Sequence, residues 1–154
     1  MKHPLRIVIG ADHGGFELKQ ALAPFLASLG HAVTDCGTTG KEPVDYPRFA
    51  RAVAEQVAAG SCDFGIVVDG AGIGSAMAAN KVPGVLAEAC YSEALARNAR
   101  EHNDANLLTL GAGHVDVETA KRIVAAFLST ECSEERHRRR VQMIRDGEGA
   151  RGLS

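Results

Sequence analysis

Short apolar segments alternate with segments of helical periodicity along the chain, and this alternation restricts the folds that it can adopt. Apolar runs of strand length lie at 5–11, 32–36, 64–68, 84–89 and 107–110. Segments predicted as helices lie at 15–29, 48–59, 73–80, 92–101, 116–129 and 133–146, and in the first two of them apolar residues recur every three or four positions. Strands that alternate with helices in one compact chain predict an α/β fold, a parallel sheet with helices on both faces.

Local signals refine this prediction. The run 64–68 is almost entirely apolar, which is typical of a strand buried on both faces of its sheet. Pro24 lies inside the first helical segment and predicts a kink or a break there. Gly30 predicts the end of that helix. The tail 147–154 is predicted to be frayed.

Composition excludes several classes of protein. A chain of 154 residues with 45% hydrophobic and 23% charged residues predicts one globular domain over 1–154. A net charge of −2 disfavours nucleic acid or an anionic membrane as a partner. No apolar run approaches the roughly 18 residues of a membrane span, and the N-terminal segment lacks a signal-peptide pattern. We therefore expect a cytoplasmic protein.

The four cysteines are widely spaced, and no two of them form a C-x-x-C pair. This spacing disfavours a zinc cluster and a disulfide framework, and it is consistent with reduced thiols.

In open α/β sheets the ligand lies outside the carboxyl ends of the strands, so the residues that follow each strand are candidates for a site. Asp12 and His13 follow the first strand, and Gly14 and Gly15 come next. Histidine titrates near neutral pH, and glycines allow the backbone to approach a ligand. The alternative is that Asp12 only caps the helix that follows.

The third strand is followed by Asp69-Gly70-Ala71-Gly72-Ile73-Gly74-Ser75. Alternate glycines before a helix expose backbone N–H groups, which suits a phosphate or an enediolate oxygen. The glycines can instead serve close packing. A dinucleotide site, with Glu88 as the ribose ligand, is disfavoured because Ser75 stands where the third glycine of that fingerprint is needed.

Two more polar clusters lie near the end of the chain. His102 and Asn103 precede the fifth strand and are candidates for an acid/base and an oxyanion donor. The alternative is that they are solvent-exposed residues at the C-terminal end of a helix. In the last helix Arg136 and Arg140 share a face, with His137 beside them, which suits a phosphate monoester. A nucleic-acid patch over 136–140 or a solvated face are the alternatives.

Five motifs occur in order: Gly10-Ala11-Asp12-His13-Gly14-Gly15-Phe16-x-Leu18-Lys19; Asp45-Tyr46-Pro47; Gly70-x-Gly72-x-Gly74 with Ala78-Ala79-Asn80-Lys81; His102-Asn103-Asp104-x-Asn106; and Arg136-His137-x-x-Arg140-Val141. Over about residues 5–145 the chain thus resembles the B-type ribose-5-phosphate isomerases and the related galactose-6-phosphate isomerase subunits.

The resemblance implies a Rossmann-like three-layer sandwich with a five-stranded parallel sheet. It also implies an aldose–ketose isomerase without metal or organic cofactor, working as a homodimer or dimer of dimers with its active site at the subunit interface. By position, His102 would help to open the sugar ring. The enediolate would be stabilised by Asn103 and the amides of Gly70, Ala71, Gly72, Ile73 and Gly74. The phosphate would be held by Arg136, His137 and Arg140, and the sugar would be lined by Asp12, His13 and Tyr46.

The chain departs from this family at the positions that handle the sugar. Asp69 stands where many members have a cysteine base, and Ala71 stands where many have Thr or Ser. Ser75 occupies the position of a glutamate base in another branch, and a phosphate-binding arginine is replaced at about Gly113, beside His114.

Two roles for Asp69 follow from these departures. In the first role, Asp69 is itself the base that moves the proton and belongs with His102 among the catalytic residues. In the second role, Asp69 only orders its loop or binds a hydroxyl. A carboxylate turned into the interior, or arginines of the last helix that face bulk solvent in every assembly, would overturn the proposed site. The default reaction is ribose 5-phosphate to ribulose 5-phosphate. A tetrose or hexose phosphate substrate, or a non-catalytic subunit that needs a paralogous partner, are the alternatives.

Overall fold

A computed structural model describes residues 4–148, and its helices and strands follow the predicted order. The elements are β1 (Arg6–Ala11), α1 (Phe16–Ser28), β2 (Ala32–Asp35), α2 (Tyr46–Ala58), β3 (Phe64–Asp69), α3 (Ile73–Ala79), β4 (Ala87–Ala89), α4 (Glu93–Glu101), β5 (Leu107–Gly111), α5 (Val117–Ser129) and α6 (Glu135–Asp146).

The five strands form one sheet in the order β2-β1-β3-β5-β4, and every neighbouring pair is parallel. From β1 the chain first moves to one side of the sheet, to β2, and then crosses to the other side, to β3. The strand order therefore reverses between β1 and β3, which is where open α/β sheets form a ligand crevice. Asp12 and Asp69 lie at the carboxyl ends of these two strands.

Two apolar cores lie on opposite faces of the sheet. On one face, Leu22 and Leu26 of α1 pack with Phe127 of α5 and with residues of α4. On the other face, Val53 and Val57 of α2 pack with residues of α3. The predicted three-layer α/β sandwich is confirmed. The strand β3 is buried on both faces, as its apolar composition predicted.

Two local predictions need correction. The helix α1 continues past Pro24, because Pro24 and Gln20 are both exposed, so that solvent can hydrate the carbonyl that loses its N–H donor. The strand β4 is shorter than 84–89. The amides of Gly84 and Leu86 instead donate to side chains of Glu148 and Asn106.

At the start of the predicted frayed tail, Gly147 follows the last residue of α6 and the Glu148 carboxylate accepts a hydrogen bond from the Gly84 amide. The rest of the predicted frayed tail, 149–154, lies outside the described residues. Within residues 4–148 no helix combines the length and the apolar character needed to cross a membrane.

His31, just before β2, provides a pH test of stability. Its side chain is 6% exposed, its Nδ1 accepts a hydrogen bond from the Leu5 amide at 3.1 Å, and its Nε2 has no partner among residues 4–148. Burial lowers the pKa of His31 below its ordinary value of 6.5. The folded state therefore prefers the neutral ring. The associated stability is complete above the ordinary pKa and declines as the pH falls below it.

We expect His31→Gln to cost about 1 kcal/mol at about pH 7.5 through the weakened bond to Leu5. We expect the Tm difference between parent and variant to shrink at about pH 5.5, because only the parent then has to bury or expel a charge. Thermal unfolding at both pH values measures this. An equal Tm difference at the two values would contradict the assignment.

Candidate active site

The segment 69–74, which runs from the last residue of β3 into the first turn of α3, is held by the side chain of its own first residue. Asp69 is 5% exposed and faces this loop, which we call the amide loop. Its Oδ1 accepts a hydrogen bond from the Gly72 amide. Its Oδ2 accepts from the Ser75 amide at 3.2 Å and from the Ser75 hydroxyl at 2.5 Å. Both carboxylate oxygens are thus engaged within the protein.

The first four carbonyls of the amide loop, those of residues 69–72, accept hydrogen bonds from the protein. Those of Asp69 and Gly70 accept from backbone amides of the segment after β5, at 2.8 and 2.9 Å. Those of Ala71 and Gly72 accept from the hydroxyls of Tyr91 and Thr109. In a planar trans peptide the N–H points away from the preceding C=O. The amides of Gly70, Ala71 and Ile73 therefore point outward.

Among residues 4–148 nothing accepts a hydrogen bond from these three amides or from that of Gly74. Unoccupied donors converging at a sheet crevice can stabilise a negatively charged oxygen. The Gly72 amide, predicted as part of this set, is the exception because it donates to Asp69.

Two of the alternate glycines have clear local reasons. Gly72 has a φ of 81°, a conformation that L side chains rarely adopt. At Gly74 a Cβ would lie 2.5 Å from the ring of Tyr46, so the absent side chain lets that ring cover the amide loop. Tyr46, at the start of α2, is thereby brought to the predicted site.

The loop after β1 lies beside the amide loop. The Asp12 side chain is 8% exposed and its Oδ1 accepts from the Gly15 amide at 3.0 Å, so Asp12 holds the turn before α1 but does not cap the helix, whose N-cap residue is Gly15. Its Oδ2 has no hydrogen-bond partner among the described residues. The Nδ1 of His13 accepts from the Val44 amide at 3.1 Å, which leaves Nε2 as the N–H donor of the neutral ring.

His102 and His137 form a second cluster, which we call the histidine pair. Their rings stack with centroids 4.2 Å apart and planes at 17°. His137 is 4% exposed, and its Nε2 has no hydrogen-bond partner among the described residues, although the Glu134 carboxylate lies 3.9 Å away. Asn98 contacts both His102, at 3.2 Å from Nδ1, and Asn103. The helices α4 and α6 thus bring three predicted residues together.

Within one chain, these two clusters lie at opposite ends of the parallel strands. The amide loop lies at the carboxyl ends and the histidine pair at the amino ends. The amide loop follows Asp69, which pairs with Gly111 at the carboxyl end of β5. His102 and Asn103 lie in the segment that leads into β5 at Leu107, and His137 stacks on His102. Four residues of strand separate the two levels by about 13 Å. One chain therefore does not assemble all the predicted site residues into one pocket.

Arg136 and Arg140 lie on α6, the helix that carries His137 of the histidine pair. Arg136 is exposed and its Nε donates to Glu134 at 2.8 Å. Arg140 is exposed and has no side-chain partner among residues 4–148. A guanidinium without an internal partner can bind an anion such as a phosphate.

Glu101, His102 and His137 each place a potential metal-ligand atom within 4.8 Å of the others. The two rings are almost parallel, however, so their lone pairs do not converge on one point. This is not the geometry of a preformed metal centre.

The cysteines do not supply a nucleophile. Burial, with a contribution from Glu88, raises the pKa of Cys90 to about 12. Burial also raises the pKa values of Cys36, Cys62 and Cys132. All four are free thiols that stay protonated near neutral pH.

Residues 7–144 match the family model described as ribose/galactose isomerase. The chain belongs to this family. It is 42% identical over 139 residues to ribose-5-phosphate isomerase B of Escherichia coli, which covers 90% of this chain and 93% of that protein.

Solved structures of the family superpose closely. The ribose-5-phosphate isomerase B of Clostridium thermocellum has a TM-score of 0.93 and 48% identity, with 95% of this chain and 99% of that one covered. The Mycoplasma genitalium enzyme, solved with bound ribulose 5-phosphate, has a TM-score of 0.91 and 38% identity, with 96% and 98% covered.

Sequence reasoning missed two residues that hold the amide loop. Tyr91 and Thr109 bind carbonyls of the amide loop but belong to none of the motifs. Thr109 did carry a signal, because it is the one polar side chain in the otherwise apolar run 107–110. A buried hydroxyl in an apolar strand needs a partner.

Proposed function

We propose that this protein interconverts an aldose phosphate and a ketose phosphate, with ribose 5-phosphate and ribulose 5-phosphate as the pair. The observation that carries this is the amide loop, whose unoccupied N–H groups lie at the crevice between β1 and β3. The names of the E. coli and C. thermocellum relatives and the ribulose 5-phosphate bound to the M. genitalium relative support the choice of sugar.

The reaction conserves atoms and needs no external oxidant. A base takes the proton from C2 of the open aldose, which leaves an enediolate, and returns a proton to C1, while the proton of the C2 hydroxyl passes to the oxygen on C1 to give the ketose. Negative charge on the enediolate oxygens would be stabilised by the outward amides of the loop and by Asn103. His102 would transfer the proton that opens the sugar ring.

We infer that Asp69 orders the amide loop. It already accepts three hydrogen bonds from that loop and the first turn of α3, and taking a proton from carbon would disrupt at least one of them. We therefore assign the proton transfer to Asp12. It is the second carboxylate at the carboxyl ends of the strands, and its Oδ2 is not engaged by residues 4–148.

The separation of the amide loop and the histidine pair at opposite ends of the strands implies that two chains assemble to form each site. In a two-fold dimer, the surface carrying the amide loop of one protomer can face the histidine pair and Arg140 of its partner. We propose a homodimer, or a dimer of such dimers, with each site shared between chains. Arg136, His137 and Arg140 would then hold the phosphate while the other end of the sugar meets the amide loop.

The test uses the purified full chain with C4–C6 aldose and ketose phosphates in D2O. We expect loss of the C2 proton signal and formation of the isomer with the ribose 5-phosphate pair, without added metal. Exchange confined to a tetrose or hexose phosphate would reassign the substrate. Binding without exchange on every sugar would contradict an enzyme and support a phosphosugar-binding subunit.

A further inference from the structure

We propose that Tyr91 and Thr109 are positioning residues that hold the amide loop in the conformation in which its free amides point outward: Thr109 orients the peptide of the Ile73 amide, and Tyr91 fixes the peptide before it. The inference rests on the proposed function, because it assumes that these amides meet the charged oxygen of the reacting sugar. Neither side chain needs to touch the substrate. Both act through carbonyl groups on the opposite side of the loop.

Thr109 controls one outward amide directly. Its side chain is fully buried in β5, and its Oγ1 donates to the carbonyl of Gly72 at 2.5 Å. Because the Gly72–Ile73 peptide is planar and trans, holding that carbonyl inward directs the Ile73 amide outward. The hydroxyl itself would be costly to bury without this acceptor, so the contact fixes both partners.

Tyr91 holds the preceding peptide. Its hydroxyl donates to the carbonyl of Ala71, while the amide on the other side of that peptide, Gly72 N–H, donates to Asp69. The Tyr91 ring is itself placed by an edge contact with His114, at a centroid distance of 5.7 Å. The peptide is therefore fixed from both sides.

These contacts bear on the transition state more than on binding. An amide that is already directed at the position of the developing oxyanion stabilises that charge without reorganisation. The phosphate, by contrast, is assigned to α6 of the partner. Removing either hydroxyl should therefore lower kcat and leave KM nearly unchanged.

The experiment compares Thr109→Val, which keeps the shape and removes the hydroxyl, with Thr109→Ser, which keeps the hydroxyl. Tyr91→Phe removes the second hydroxyl at a half-buried position. We expect kcat to fall about 10- to 100-fold in Thr109→Val and Tyr91→Phe, with KM within about threefold of the parent. Thr109→Ser should keep most of the parent kcat, and thermal melts should show that all three variants fold.

Parent-like kcat in both Thr109→Val and Tyr91→Phe would overturn this inference alone. So would equal losses of kcat in Thr109→Val and Thr109→Ser, or a rise in KM without loss of kcat. A parent protein that isomerises no phosphosugar would overturn the proposed function and this inference together, so the two failures are distinguishable.

Discussion

Replacing Asp69 by asparagine is expected to lower turnover by about 100-fold or more and to weaken phosphosugar binding and folding as well. The asparagine amide offers one acceptor oxygen where the carboxylate offers two, and its NH2 group faces donors. At least one of the Gly72 and Ser75 amides then loses its acceptor. We expect a loss of about 1–3 kcal/mol in the free energy of unfolding, measured by denaturant titration.

The control is Asp116→Asn. Asp116 also accepts a backbone hydrogen bond at a helix start, from the Thr119 amide at 2.7 Å, but on α5. The Asp116→Asn variant should lose a little stability and keep the parent activity. If Asp69→Asn instead abolishes turnover while stability and phosphate-dependent binding stay at the parent level, Asp69 is the base. Turnover near the parent rate would reject both roles.

Two inactive variants with lesions at opposite ends of the strands are expected to restore activity when their chains are mixed. Asp69→Asn damages the amide loop, and His102→Ala damages the histidine pair. In a mixed dimer with shared sites, one site carries both lesions and the other carries neither. Random reassortment of equal amounts should recover about one quarter of the parent activity, since half of the dimers are mixed and each has one intact site.

Co-expression with two affinity tags isolates the mixed dimer, and its isomerase rate is measured directly. Asp69→Asn mixed with Asp12→Asn is the matched control, because both lesions lie at the same end of the strands and no intact site can form. Absence of recovery in the first mixture, despite isolation of the mixed dimer, would contradict a shared site.

Local patterns predicted most of the fold. Apolar composition and 3–4 spacing depend only on neighbouring residues, so they located every strand and helix and the double burial of β3. Predictions failed where a distant partner decided the outcome. The strand β4 is shortened because Glu148 and Asn106 take amides that a sheet partner would otherwise use.

By itself, the sequence determined the order of strands and helices, the family motifs and the residues that are candidates for the site. The tertiary structure alone decided that Asp69 faces its own loop and that Tyr91 and Thr109 hold that loop. It also decided that the candidate site residues lie at two opposite ends of the strands. The reason is physical. Periodicity is a property of adjacent residues, whereas the partner of a hydrogen bond and the distance between two strand ends depend on how the whole chain packs.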